Sequence, residues 1–277
     1  MTGYMRTVLA VLAFLSGAAA AQGVAFVTNL RGEVAVEGNA RPLVLSELAR
    51  GAKITVGNDA AVSVMYTATG REFTLKGPGK YEIGDKEVAT VSGAPAAARN
   101  TEWRADGKVV TQVAKTSSAS VRMRSLAKPK ADTGPKLLFP TQGGVATLQP
   151  TFRWTQADAK APSEITVLIP GQEKPLHAGK ATAGTYRLPT KLTPDTEYAW
   201  VVASAGQEIG TGKFRTLSAD TMKGVEKRRP AEKADFSDHV LFAMYLQEVG
   251  ATQEAQDLWA RLAKERTDLP ELSALAR

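Results

Sequence analysis

The sequence predicts a mainly β protein: a small β domain, then a β-sandwich, closed by a C-terminal α-hairpin. Three observations carry this. Between about residues 24 and 216 apolar and polar residues alternate in short runs broken by Gly, Pro and Asn-Asp, as in strands with one buried face. Only past residue 235 does the apolar spacing become helical. Finally, 277 residues, 43% hydrophobic and 23% charged, suit two or three modest domains and neither a collagenous nor a polytopic membrane chain.

Residues 1–21 read as an export signal. Met1 to Arg6 carries one positive charge, Val8 to Leu15 is an unbroken apolar run, and Ala18-Ala-Ala-Ala21-Gln22 offers a small-residue cleavage site after Ala21. The uncharged stretch Thr7 to Ala21 is 15 residues, short of the ~17–25 that cross hydrocarbon. The expected location of the mature chain is therefore the periplasm, with no integral membrane segment.

The first β domain is expected over residues 22–95. Gly32–Val36, Lys53–Val56, Ala61–Tyr66 and Glu72–Leu75 are strands, Thr69-Gly70 turns between the last two, and Leu43–Leu48 is a loop or helical turn. The order Gly32-Glu-Val-Ala-Val36, Leu48-Ala-Arg-Gly51 with Ile54, Asn58–Val64, Thr69–Leu75 and Gly77-Pro-Gly79 resembles the FecR family of periplasmic domains. The resemblance reaches residue 126 if Val109–Val113 and Ala119–Arg122 are its last strands. The Val-Arg-Gly-Thr close of that family is missing, since Met123 and Arg124 follow Val121-Arg122. So are the membrane helix and sigma-factor-binding part of its signalling members, which sets direct sigma-factor control aside.

Residues 96–136 read as a basic linker with one or two strands. The formal net charge is +7, and this stretch holds 9 basic against 3 acidic residues while residues 23–95 hold 8 of each. Arg99, Arg104, Lys108, Arg122, Arg124, Lys128 and Lys130, with Lys115 and Lys136, supply its charge. Such a run is a solvated tether or a contact to an anionic envelope surface. Nucleic acid is not expected: no groove-reading helix or ribonucleoprotein motif occurs.

Residues 137–218, entered through Lys136–Pro140, carry the spacing of a β-sandwich, with further strands at Thr151–Trp154, Ile165–Ile169, Gly184–Leu188, Glu197–Val202 and Gly212–Thr216. Pro150-x-Phe152-x-Trp154, Leu192-Thr-Pro-Asp-Thr-Glu-Tyr198-x-Trp200 and Phe214-x-Thr216 resemble a fibronectin type III domain. The resemblance implies that the Tyr198 hydroxyl bonds back to the preceding loop. Trp154 and Trp200 are candidates for sugar stacking, but their in-register positions beside other apolar residues favour burial between sheets.

After a charged connection, 219–234, residues 235–277 form a helical hairpin. One helix runs from Phe236 or Ser237 to Val249 and stops at Gly250; the other starts at a capping Thr252 and ends at Asp268-Leu-Pro270. Ala243, Leu246, Gly250, Ala255, Trp259 and Leu262 resemble one tetratricopeptide repeat. A lone repeat cannot bury its own apolar face. That face, with Phe242, Leu246, Leu258, Trp259 and Leu262 as candidate partner contacts, must meet the sandwich, another copy or a different protein.

Catalytic chemistry is thin. With no cysteine and two histidines, His177 and His239, thiolate, disulfide, iron–sulfur and Cys-ligated zinc chemistry are excluded. His177 falls in a sandwich loop and His239 at a helix start, where a surface imidazole is ordinary. No H-E-x-x-H, G-x-S-x-G or phosphate-binding loop occurs, and Gly77–Lys80 and Gly210–Lys213 read as tight turns. No catalytic, cofactor or metal residue is assigned. The expected function is non-enzymatic: protein–protein interaction or scaffolding in the cell envelope through strand edges and the helical face. The alternatives are peptidoglycan or envelope-glycan binding, disfavoured if Trp103, Trp154 and Trp200 are buried, and a component of an envelope signalling system.

Overall fold

The computed structural model describes residues 23–37, 41–101, 103, 134–158 and 161–277. It is mainly β, with several antiparallel sheets and a few short helices. The apolar run at 1–21, the strands expected at 109–113 and 119–122, and Arg104, Lys108, Lys115, Arg122, Arg124, Lys128 and Lys130 lie outside the described residues.

The first unit is built from β1 (Gly23–Arg31), β2 (Val34–Val36), β3 (Glu47–Ala49), β4 (Lys53–Val56), β5 (Ala61–Tyr66), β6 (Arg71–Lys76), β7 (Gly79–Ile83), β8 (Val88–Ser92) and β9 (Ala97–Asn100). They form two antiparallel sheets, ordered β3-β1-β5-β6-β9 and β2-β4-β7-β8. The strand at residues 53–56 and that at 61–66 fall where the alternation places them. β1, β7, β8 and β9 are additional, and the stretch expected as a loop ends in β3. β9 pairs with β6 through Glu72↔Arg99, so the sheet runs past residue 95 into the stretch expected as linker. Gly77 cannot be replaced here: a Cβ would stand 1.7 Å from the Gly57 carbonyl oxygen.

The second unit holds β10 (Lys136–Phe139), β11 (Gly144–Val145), β12 (Thr151–Thr155), β13 (Ser163–Leu168), β14 (His177–Ala181), β15 (Thr185–Arg187), β16 (Glu197–Ser204) and β17 (Gln207–Thr216). A three-stranded sheet, β10-β12-β15, accompanies a five-stranded one, β11-β17-β16-β13-β14. Between them Phe152, Trp154, Ile165, Tyr198, Trp200 and Phe214 make a closed core. Trp200 is 0% exposed and donates from Nε1 to the Pro140 carbonyl at 2.6 Å. The Tyr198 hydroxyl accepts from Thr193 N–H at 2.8 Å, which fixes the corner leading into β16. His177 opens edge strand β14 rather than lying in a loop, its Nε2 2.6 Å from the Tyr186 hydroxyl.

Four helices follow: α1 (Ala219–Arg228), α2 (Phe236–Glu248), α3 (Thr252–Glu265) and α4 (Leu272–Leu275). Helix α1 occupies most of the expected connection, capped by Ser218 Oγ accepting from Thr221 N–H at 3.2 Å. Thr252 is the first residue of α3 rather than its cap; Ala251 holds that position without a side-chain bond. Gly250 breaks the pair at φ +84°, a conformation that a β-carbon disfavours.

The hairpin shares its apolar core with the first unit and meets the adjacent sandwich through polar bonds. α2 meets β1, and Val240, Ala243, Trp259, Leu262 and Leu272 share one continuous core with Phe26, Leu30, Val64 and Met65. This explains why β1 and β5 are buried along nearly their whole length instead of on alternate residues. Trp103, 8% exposed, joins the same core and meets Tyr245 edge-on at 5.7 Å. The second unit keeps its own core, and Ala146 and Leu217 at its margin pack against the cluster that the hairpin and the first unit share.

Candidate functional site

A cleft of about 550 Å³ opens where α2, α3, the segment after α1 and the margin of the second unit meet. α3 contributes Glu254, Asp257, Leu258 and Arg261, spaced three and four apart and therefore on one helix face. α2 supplies a floor of His239, Phe242 and Leu246, at helical spacing of three and four. Arg229, Pro230 and Glu232 form the wall after α1, and Ala146 closes the rim.

The cations of the cleft are already engaged. Arg229 bonds Glu226 at 3.2 Å and stacks over Phe242, 5.4 Å from the ring centroid. Arg261 forms an exposed ion pair with Glu265 at 3.6 Å and contacts His239 Nδ1 at 3.3 Å. Arginine only donates, so His239 Nδ1 is the acceptor in this contact. At 8% exposure His239 is a buried side chain of α2, not the surface imidazole its place near a helix start suggested.

Glu254 is the unusual acid. Oε2 accepts from the Ala146 N–H of the second unit at 3.0 Å. Burial pushes its carboxyl up to about 7, against the Ala146 bond and the Arg229 charge, which pull it down; Asp257 adds a smaller upward push. A carboxyl titrating near neutrality inside a cleft is the kind of group that marks functional sites. No group of three or more His, Asp or Glu positioned to hold a metal occurs among the described residues.

The five residues proposed for partner contact divide. Trp259 and Leu262, both 0% exposed, point into the shared core. Phe242 and Leu246 are 4% exposed and Leu258 is half-buried, and these three line the cleft. The part of the apolar face that carries Trp259 and Leu262 is thus covered by the chain's own first unit, a cover outside the three expected. Hydrophobic burial is non-directional, so the pattern revealed a buried face without revealing what covers it.

Arg99 is likewise not a linker contact. It donates from Nε to Glu72 at 2.5 Å and from Nη2 to Asp238 and Ser237, both at 2.9 Å. Glu72, 1% exposed, also accepts from Thr28 Oγ1 at 2.5 Å. Desolvation pulls the Arg99 guanidinium down, but its bond to Asp238 and the Glu72 charge outweigh this and hold it above its ordinary value. The group is a lock between β6, β9 and the start of α2. Arg266, 8% exposed, makes a second lock, donating to Asn29 Oδ1 at 2.7 Å and to the Leu30 carbonyl at 2.5 Å.

Glu254, Arg229 and Arg261 were not singled out in the sequence. Glu254 and Arg261 share one face of α3, which any solvated helix also shows, and Arg229 is one charge of the segment after α1. No protein-family model matches the chain, and no curated protein matches it. Among the described residues no helix is long and apolar enough to cross a membrane.

Proposed function

We propose that this is an exported, non-enzymatic envelope protein that works by protein–protein interaction, presenting sheet edges on a body braced by its own helices. On this reading the first unit is a FecR-like domain, the second a fibronectin type III-like sandwich and the hairpin a single tetratricopeptide-like repeat. The Tyr198 corner bond and the three-plus-five arrangement of the second unit support the middle assignment. The periplasm is the compartment this reading requires, through cleavage after Ala21.

One observation carries the mode of binding. β8 is an edge strand of sequence Val88-Ala-Thr-Val-Ser92, uncharged and without proline, with its last four residues exposed and Val91 64% exposed. Edge strands of this kind accept a further strand through free backbone groups. Burial of Trp103, Trp154 and Trp200, at 8%, 3% and 0% exposure, removes the stacking platforms that glycan binding would have used.

The test is cross-linked recovery from an envelope extract with the mature chain and its Val91→Lys variant. Loss of a specific cross-linked partner with Val91→Lys supports edge docking, and equal recovery overturns it. Truncation after Ser218 would be a poor test, because it strips the cover from the first unit's core. Export is checked separately: the periplasmic fraction should contain a chain whose first residue is Gln22.

A further inference from the structure

The two helices of the hairpin meet along the cleft in a regular order. His239, Phe242 and Leu246 of α2 stand 11, 8 and 4 residues before Gly250, and Arg261, Leu258 and Glu254 of α3 stand the same distances after it. Reversal of the chain at Gly250 therefore sets them side by side in pairs, as the 3.3 Å contact between Arg261 and His239 Nδ1 records. All six line the cleft. It runs from a basic end at Arg261 and His239, over an apolar middle at Phe242 and Leu258, to an acidic end at Glu254 beside Leu246.

Both ends have polar capacity to spare. The partner of Arg261, Glu265, is an exposed neighbour one helical turn away, a pairing that costs little to exchange. His239 is 8% exposed, and beyond the Arg261 contact its ring has no hydrogen-bond partner among the described residues. At the other end Glu254 accepts the Ala146 N–H on Oε2; the Arg229 charge acts on it, yet no cation is bonded to it among the described residues. Asp257, the next acid of that face, is taken by Arg153. In the middle the Arg229 guanidinium lies over the Phe242 ring, and its own carboxylate partner, Glu226, is exposed.

We propose that the cleft binds a short free peptide of about three residues. Its carboxylate meets Arg261 and His239, the apolar side chain of its middle residue rests on Phe242 and Leu258, and its terminal ammonium meets Glu254. The length follows from the helix. Glu254 and Arg261 are seven residues apart on α3, about 10 Å along its axis, and three extended residues span about the same distance. Each charged end of the peptide then gains a charge-assisted bond in a partly enclosed site. A longer chain would carry one terminus beyond its counter-charge, and a simple apolar anion would leave the Glu254 carboxylate desolvated without a cation.

The test is isothermal titration of alanyl-leucyl-alanine into the mature chain at about pH 7, where the peptide carries both charges. A dissociation constant on the order of 0.1 mM is expected for a ligand of this size. Acetylating the amino end or amidating the carboxyl end should each weaken binding about tenfold. Arg261→Gln should abolish the penalty for amidation and keep that for acetylation; Glu254→Gln, which can still accept the Ala146 N–H, should do the reverse. General loss of structure would move both penalties alike. No binding by the native chain at about 1 mM peptide, or penalties that both variants leave intact, overturns the site. So does equal binding of the acetylated peptide, which would make the occupant the carboxyl end of a longer chain. If Glu254→Gln does not fold, the modified peptides on the native chain and on Arg261→Gln decide the matter. No protein partner enters the titration, so its failure and the failure of edge docking are separate results.

Discussion

The helical hairpin is joined to two β units in opposite ways. Towards the first it shares a continuous apolar core, reinforced by half-buried Arg99 on buried Glu72 and by buried Arg266. Towards the second it offers backbone and side-chain polar bonds around a cleft, with little apolar contact. Apolar contact is insensitive to pH and makes units fold together; polar contact at a margin contributes little net stability and responds to single protons. The protein is thus one body made from its two ends, with the middle unit attached as a separable part.

The largest expected effect tests that division directly. Trp259→Ala should cost about 3–5 kcal/mol and bring down the first unit and the hairpin together while the second unit stays folded. Trp200→Ala should do the converse at a similar cost. Hydrogen exchange read by region during denaturant unfolding distinguishes the two; a single transition for all regions in both variants would dissolve the comparison.

Next comes the ionic lock. Arg99→Ala strands the buried Glu72 carboxylate and should destabilise the shared body by about 3 kcal/mol, whereas adding Glu72→Leu to it should recover much of the loss. A urea midpoint for each variant gives both numbers. A smaller and local effect is expected of Tyr198→Phe, about 1–2 kcal/mol, confined to exchange rates in the second unit, since the lost bond lies wholly within it.

The mildest prediction concerns alkali. Burial raises the Tyr66 phenol to about 12, helped by the Glu87 and Asp85 charges and opposed by a backbone bond. Its folded value exceeds its unfolded one, so its contribution is complete below 10.0 and is lost as pH rises towards 12. Stability of the shared body measured across that window should decline with pH, and Tyr66→Phe should flatten that part of the curve.

Much of the architecture was legible in the chain. The strands at 53–56, 61–66 and 151–155 and the helix before Gly250 sit within a residue or so of where alternation and helical spacing put them, and the helix after it starts at Thr252 but ends at Glu265, short of the expected stop at Asp268-Leu-Pro270. What escaped was contact between distant segments. Ala61-Val-Ser-Val-Met-Tyr66 is apolar on both faces, a sign that a second layer covers it, yet nothing local names the hairpin as that layer. Arg99 looked like one charge in a basic run because its partners, Glu72 and Asp238, lie 27 and 139 residues away. The cleft was less legible still, since the titration of Glu254 depends on burial by elements that pattern reading cannot assemble.

That Trp103 and Trp259 belong to one core has a consequence for biogenesis. A chain emerges amino end first, and 156 residues separate these two indoles. At about 5–20 residues per second the interval is about 10–30 s. Throughout it the leading β strands lack their cover while the sandwich, whose residues emerge earlier than the hairpin, can already close. Nascent copies therefore carry a bare apolar sheet until translation is nearly done, which makes the interval before the last helices arrive the period of greatest exposure to chaperones and proteases.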